Sequence, residues 1–231
     1  MTGGPTPSFA LVQRVDFLKA ICAGRSVLHL GCTNWPYMEL SSADERFLHP
    51  VLMRTAREVW GIDADAEGIA LMAADGVPNL FVGDLENLSA LALDRTFDVV
   101  VAGEVIEHLS NPGLFLQGVK RFLRPDSDLV VTTVNAFCAF RALIYGLRGK
   151  GGRNEPVHPD HVAYYSYAKL GHIGRRAGLG LHEFAFYDLG REHRPFARRG
   201  VALFNDLAVR LMPQLADGVI GVFRLSEDSS A

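Results

Sequence analysis

Glu104, Glu107 and His108 stand three and four positions apart, and two further imidazoles, His158 and His161, return later in the chain. If the segment is helical, that spacing puts all three side chains on one face within a turn. Two carboxylates with one or two imidazoles make an O/N donor set for a divalent cation, with Glu104, Glu107, His108 and His161 as its candidate ligands. A cation there would lower the pKa of an acceptor hydroxyl by direct coordination. Without a cation the same residues suit proton transfer, with His108 or His161 as general base and Glu104 beside them. Both chemistries remain open at this point. So does a plainer one, in which the acid starts a helix and the histidine lines a pocket.

Two more carboxylates occupy positions of a different kind. Asp63 closes the apolar run Val59-Trp60-Gly61-Ile62, and Asp84 closes Leu80-Phe81-Val82-Gly83. A carboxylate at the end of a buried strand can accept from both hydroxyls of an adenosine ribose, or from an adenine amino group, in charge-assisted hydrogen bonds. A third run, Ser26-Val27-Leu28-His29-Leu30, ends in Gly31-Cys32-Thr33-Asn34. A buried parallel strand has this appearance where it delivers its backbone to a ligand, because glycine leaves room for a close approach.

These residues need elements to position them. Helical spacing over 9–20 predicts an amphipathic helix, stopped by Gly24, and strands are predicted at 27–30, 58–63, 80–84, 97–102 and 128–133. Helices are predicted at 47–57, 67–74 and 112–123, with Pro112 suited to a first turn and 124–126 forming a turn. After Val134 the rhythm breaks into an insertion, 134–165, whose Gly/Arg/Lys-rich middle marks it as a lid candidate. A helix over 166–177, capped by Ser166, then strands at 181–187 and 219–225 around a helix at 201–212, complete the chain. The alternation implies one α/β domain over 1–231, a doubly wound and mostly parallel sheet with helices on both faces.

In this order the chain resembles the class I S-adenosylmethionine-dependent methyltransferases. The resemblance rests on the first-strand glycine together with Trp60-Gly61-Ile62-Asp63, Val82-Gly83-Asp84-Leu85, Phe97-Asp98-Val99-Val100, Glu104-Val105-Ile106-Glu107-His108-Leu109 and Phe122-Leu123-Arg124-Pro125-Asp126. It implies a seven-stranded sheet whose last two strands form an antiparallel edge. It also implies S-adenosylmethionine across the Gly31, Asp63 and Asp84 strand ends, with His29, Cys32, Thr33, Ala64, Leu85 and Gly103 around it. The Glu-x-x-Glu-His turn is similar to that of metal-dependent small-RNA 2′-O-methyltransferases and ubiquinone-pathway O-methyltransferases. The insertion resembles that of bacterial enzymes of cell-surface glycan pathways. The implied reaction is O-methylation of a small-molecule, sugar or lipid-linked acceptor. One departure stands out: His29 occupies the place of the family's usual acid, which helps hold the cofactor's ammonium. A neutral imidazole there can accept a hydrogen bond, whereas a protonated one repels.

Composition narrows the alternatives. The 231 residues are 48% hydrophobic and 21% charged, with a formal net charge of -3, which gives no bulk attraction to nucleic acid or to an anionic membrane. No apolar run is long enough to span a bilayer. Cys22, Cys32 and Cys138 are scattered and odd in number, as expected of a reducing cytoplasm. A dinucleotide-dependent oxidoreductase would need G-x-G-x-x-G after the first strand, and Gly31-Cys32-Thr33-Asn34-Trp35-Pro36 does not supply it. A non-catalytic binding module on a degenerate methyltransferase fold remains as the second reading. The basic stretch Arg191-Glu192-His193-Arg194-Pro195-Phe196-Ala197-Arg198-Arg199 could grip a phosphate or lie as a solvated loop.

Overall fold

A computed structural model describes residues 10–33, 46–139, 141–142, 160–188 and 199–226. His158, the middle of the insertion and most of the basic stretch lie outside these residues. Eight strands form one sheet: β1 (Leu11–Val12), β2 (Ser26–Leu30), β3 (Glu58–Asp63), β4 (Leu80–Val82), β5 (Phe97–Gly103), β6 (Leu123–Val134), β7 (Leu179–Tyr187) and β8 (Gly218–Leu225). Their order is β1-β7-β8-β6-β5-β2-β3-β4. All neighbours are parallel except β8, which runs antiparallel to both β6 and β7. The carboxyl ends of the parallel strands therefore gather on one rim, together with the amino end of β8.

Helices α1 (Arg14–Cys22), α2 (Leu48–Met53), α3 (Ala66–Ala74), α4 (Pro112–Val119), α5 (Tyr167–Arg176) and α6 (Arg199–Leu211) flank the sheet. The central strands are apolar on both faces because both faces are covered. In β5, Val100 and Ala102 pack with Leu28, Leu30, Phe115 and Phe122 on one side. Val99 and Val101 pack with Leu18, Leu52 and Val130 on the other. Local signals fix the helix starts: Asp65 accepts from Gly68 N (3.0 Å) and Asn111 from Leu114 N (3.1 Å).

The first half of the chain and β6 depart from the expectations in three places, and the insertion gains an anchor. Residues 11–12 are a strand, not the start of a helix, and this makes eight strands rather than seven. Leu11 and Val12 pair in parallel with Phe186 and Tyr187, covering what would otherwise be an open sheet edge. The helix starting at Pro112 ends at Val119 and tightens into a 3-10 turn over Lys120–Phe122. Strand β6 begins at Leu123, so the 124–126 turn is absorbed as an irregularity opposite Asp98, held by a hydrogen bond from Arg124 N to Ser127 Oγ (2.9 Å). The insertion leaves and re-enters through a bridge between Asn135 and Tyr165, and Ala136 N donates to Tyr165 O (2.8 Å).

Candidate active site

The rim is built from the end of β2 outward. Gly31 has φ +70°, and a Cβ there would sit 2.4 Å from Val105 Cγ2, so only glycine fits. Its N–H and that of Cys32 both donate to Ile62 O (2.9 and 3.3 Å), tying the loop to β3. Asp63 then locks the loop. Its Oδ2 accepts from Thr33 N (2.9 Å) and Thr33 Oγ1 (3.0 Å), and its Oδ1 accepts from Asp65 N (3.0 Å). Next along the rim, Asp84 accepts from Glu86 N (2.8 Å). Glu86 in turn accepts from Ser110 N (2.7 Å) and Asn111 N (3.0 Å), which fixes the approach to α4.

Between these ends lies a cleft of about 510 Å³, within the range of small-molecule sites. His29, Gly31, Thr33, Asp63, Ala64, Asp84, Leu85 and Gly103 all line it. Cys32 does not. It is fully buried, its thiol packs against Gly61, and burial followed by the charge of Asp63 pushes the thiol pKa up. It serves as a small packing residue. Arg14 and Arg46 line the same cleft and carry no sequence signal that marks them.

His29 has a partner that sequence reading missed. Its Nδ1 lies 3.2 Å from Nδ1 of His49, and the rings stack with centroids 5.4 Å apart. One nitrogen must carry the hydrogen and the other accept it, so the accepting ring is neutral. Burial pushes His49 down to about 4; burial, then His49 and Arg14, push His29 well below 6.5. The protonated, repelling form of His29 is therefore removed from the neutral range. Nε2 of each ring is buried without a hydrogen-bond partner among the described residues.

The acidic turn follows β5, and it is a turn rather than the helix the spacing suggested. Glu104 has φ +56°, and His108 N donates to Val105 O (3.0 Å). The backbone is drawn into this shape because Glu104 N donates to Thr132 O (3.0 Å). The two acids consequently face different surroundings. Glu104 Oε1 accepts from Thr132 Oγ1 (2.8 Å) and from the Tyr187 hydroxyl (2.6 Å). Burial opposes its ionisation, but the Arg14 charge and these two donors outweigh burial and hold its carboxyl below the usual range. Glu107 is fully buried and accepts from Thr133 Oγ1 (2.9 Å). Burial, then the charge of Glu104, raises its carboxyl well above the usual range. The pair therefore keeps one proton, on Glu107.

The insertion returns to this turn. Val162 N donates to Glu107 O (2.8 Å), and the Tyr165 hydroxyl to Ile106 O (3.3 Å). His161 meets His108 edge to face, with centroids 4.6 Å apart. One donor atom each from Glu107, His108 and His161 lies within 4.8 Å of the others, and Glu104 is not part of that group. Of the tyrosines at the end of the insertion, Tyr165 docks it, Tyr167 packs on Phe184, and Tyr164 stands 6.5 Å from the His161 ring.

Comparison with known proteins agrees with this geometry. The methyltransferase-domain family matches residues 12–183. A probable S-adenosylmethionine-dependent methyltransferase of Mycolicibacterium smegmatis is 31% identical over 159 residues, covering 68% of this chain and 53% of that protein. A ubiquinone biosynthesis O-methyltransferase of Rhodopseudomonas palustris is 36% identical over 84 residues, 36% of this chain and 33% of its own. The alignments thus span about half of the first relative's length and a third of the second's. The structure of magnesium protoporphyrin IX methyltransferase from Synechocystis, with bound S-adenosylhomocysteine, superposes with a TM-score of 0.56 at 14% identity, covering 92% of this chain and 82% of that one. With a family match over most of its length and the glycine, the two strand-end acids and the acidic turn on one cleft, the chain belongs to the class I S-adenosylmethionine-dependent methyltransferases.

Proposed function

We propose that this domain methylates an oxygen of a small-molecule, sugar or lipid-linked acceptor. The observation that carries the proposal is that His108, Glu104 and Asp160 line the same cleft as Asp63 and Asp84. Groups capable of proton transfer thus border the place where the family's cofactor would lie. The residues present fit that cofactor. Asp63 and Asp84 offer acceptors at two neighbouring strand ends, Gly31 and Gly103 keep the floor free of side chains, and His29 Nε2 and Arg14 address the amino-acid end. Bound S-adenosylmethionine supplies an electrophilic methyl group on a sulfonium. The protein's own work is to align the acceptor oxygen and take its proton. His108, with His161 against it, is the candidate base; Glu104 is the positioning residue beneath, anchored by Thr132 and Tyr187.

A second reading is favoured by the grouping of Glu107, His108 and His161, whose mixed O/N donors suit a divalent cation. Such an ion would have to displace the proton that burial keeps on Glu107. Transfer of labelled methyl from S-adenosylmethionine into extract fractions, with and without chelator and with Mg²⁺, Mn²⁺ or Zn²⁺ restored, separates the two. Full turnover in chelator removes the cation. Loss of turnover in His108→Ala and His161→Ala, with cofactor affinity unchanged, is expected of either reading. Failure to bind S-adenosylmethionine at millimolar concentration would instead favour a non-catalytic module.

A further inference from the structure

Helix α6 is inside out. Among the described residues its inward positions are Asn205, fully buried and donating to both oxygens of Asp188 (2.8 Å each), and Val209. Its outward stripe is Leu203, Leu207 and Leu211, exposed by 71%, 60% and 72%, with Phe204 and Met212 beside it. These leucines recur every fourth residue and so form one continuous face. A helix stabilised only by its own fold would put this stripe inward. Exposed apolar surface of this extent and continuity marks a docking face.

Its place in the fold is specific. Helix α6 joins the end of β7 to the start of β8, where Tyr187 pairs with Gly218 and Val134 pairs with Gly218 from the other side. That is the rim that carries Asp63 and Gly103. Two more exposed apolar side chains, Phe137 and Val162, stand at the two ends of the insertion on the same rim. Val162 is bonded to the acidic turn through Glu107 O.

Charge identifies the occupant. In a chain that nets -3, the described residues of α6 carry two exposed arginines, Arg199 and Arg210, against one acid, Asp206. A second copy docked through the same face by two-fold symmetry would set arginines against arginines. An anionic bilayer answers both features, taking the leucine stripe into the acyl boundary and the arginines against its headgroups. We propose that the α6 face seats the domain on an anionic lipid bilayer with the cleft turned toward it. Resting on the methyltransferase reading above, this selects the lipid-linked class of acceptor.

The full chain is tested by co-sedimentation with phosphatidylcholine vesicles and with mixed phosphatidylcholine–phosphatidylglycerol vesicles. The wild type is expected to bind the mixed vesicles and not the neutral ones. Leu207→Asp/Leu211→Asp is expected to lose about tenfold or more in partitioning, and Arg210→Ser to bind more weakly and with less dependence on salt. Calorimetric titration of S-adenosylmethionine without vesicles reports separately on the methyltransferase reading and should be unchanged in all three proteins. Equal binding of wild type and the double aspartate variant overturns the proposal. So does a concentration-dependent dimer that the double variant dissociates without any vesicle binding, which would make the face an interface between copies. A folded, cofactor-binding monomer that ignores both vesicle types overturns it as well.

Discussion

The buried His29–His49 pair makes the fold sensitive to acid in a window set by its own geometry. His49 is fully buried, and burial puts its pKa at about 4 in the native state against 6.5 as the ordinary value. Between those limits the unfolded chain binds a proton that the native chain refuses. Stability is therefore complete above pH 6.5, falls as the pH drops, and the loss is complete near pH 4. At 1.36 kcal/mol per pH unit the whole difference is roughly 3 kcal/mol, of which roughly 2 kcal/mol has gone by about pH 4.5. His29, pushed in the same direction, adds to it.

Urea unfolding at pH 7 and pH 4.5 measures this, with His49→Asn as the control. Asparagine keeps a donor toward His29 Nδ1 and cannot titrate. Other groups act over the same range. Glu107, whose carboxyl is raised, works in the opposite direction, because its native form binds the extra proton and gains stability as the pH falls. Glu107 is unchanged in the variant, so its contribution cancels in the difference between the two proteins. The wild type should lose about 2 kcal/mol more than His49→Asn between the two pH values. Parallel losses in the two proteins would refute the neutral pair. The same neutrality predicts that S-adenosylmethionine affinity changes little between pH 8 and pH 6 on account of His29.

Four further outcomes follow from the rim and the base of the sheet. Asp63→Ala should weaken S-adenosylmethionine by about 2–4 kcal/mol, roughly 30- to 1,000-fold by calorimetry. Thr33→Val, which removes only the hydroxyl bond to Asp63, should cost a few-fold, and a change below threefold in Asp63→Ala would place the ribose elsewhere. Gly31→Ala should destabilise the fold by about 2–4 kcal/mol, from the left-handed backbone and the collision with Val105 together, read as a lowered urea midpoint. Asp98 accepts from Ser26 N (2.7 Å) and Ser26 Oγ (2.9 Å) and pairs with Arg57 and Arg124. The Ser26 backbone bond, working against burial, and then the Ser26 hydroxyl and Arg124 hold its carboxyl well below 3.8, so it contributes stability that is lost as the pH falls through that lowered range. Asp98→Asn should flatten the acid limb of a stability profile below pH 4 and leave the limb above pH 5 unchanged.

What could be read in the chain was what depends on neighbours in sequence. Strands β2, β3 and β5 announce themselves because a strand covered on both faces needs apolar residues at every position. Asp63 and Asp84 stand out because they end such runs, and Ser166 because capping is local. What could not be read depends on contacts between distant segments. Leu11–Val12 has too few residues to show a period, and only its pairing with Phe186 and Tyr187 makes it a strand. Nothing near position 49 says that its imidazole will meet that of His29, and nothing near position 14 says that its guanidinium will reach the cleft. Helical spacing of Glu104, Glu107 and His108 was real in the sequence, but a bond from Glu104 N to Thr132 O overrode it.

That override is what gives the two acids of the turn different characters. In a helix, Glu104 and Glu107 would share one face and much the same solvent. Here the left-handed backbone at Glu104 sends its carboxylate down to Thr132 and Tyr187, beside the charge of Arg14, where it stays ionised. That charge is one reason Glu107 keeps its proton, and Glu107 is the member that stands with His108 and His161. Two residues of one type, three positions apart, thus divide into an anchored anion and a proton-bearing neighbour of the imidazoles. The donors that enforce the division come from β6 and β7, so the character of the turn is set by strands on the far side of β5. Any substitution at Thr132 or Tyr187 therefore reaches the imidazoles through Glu104.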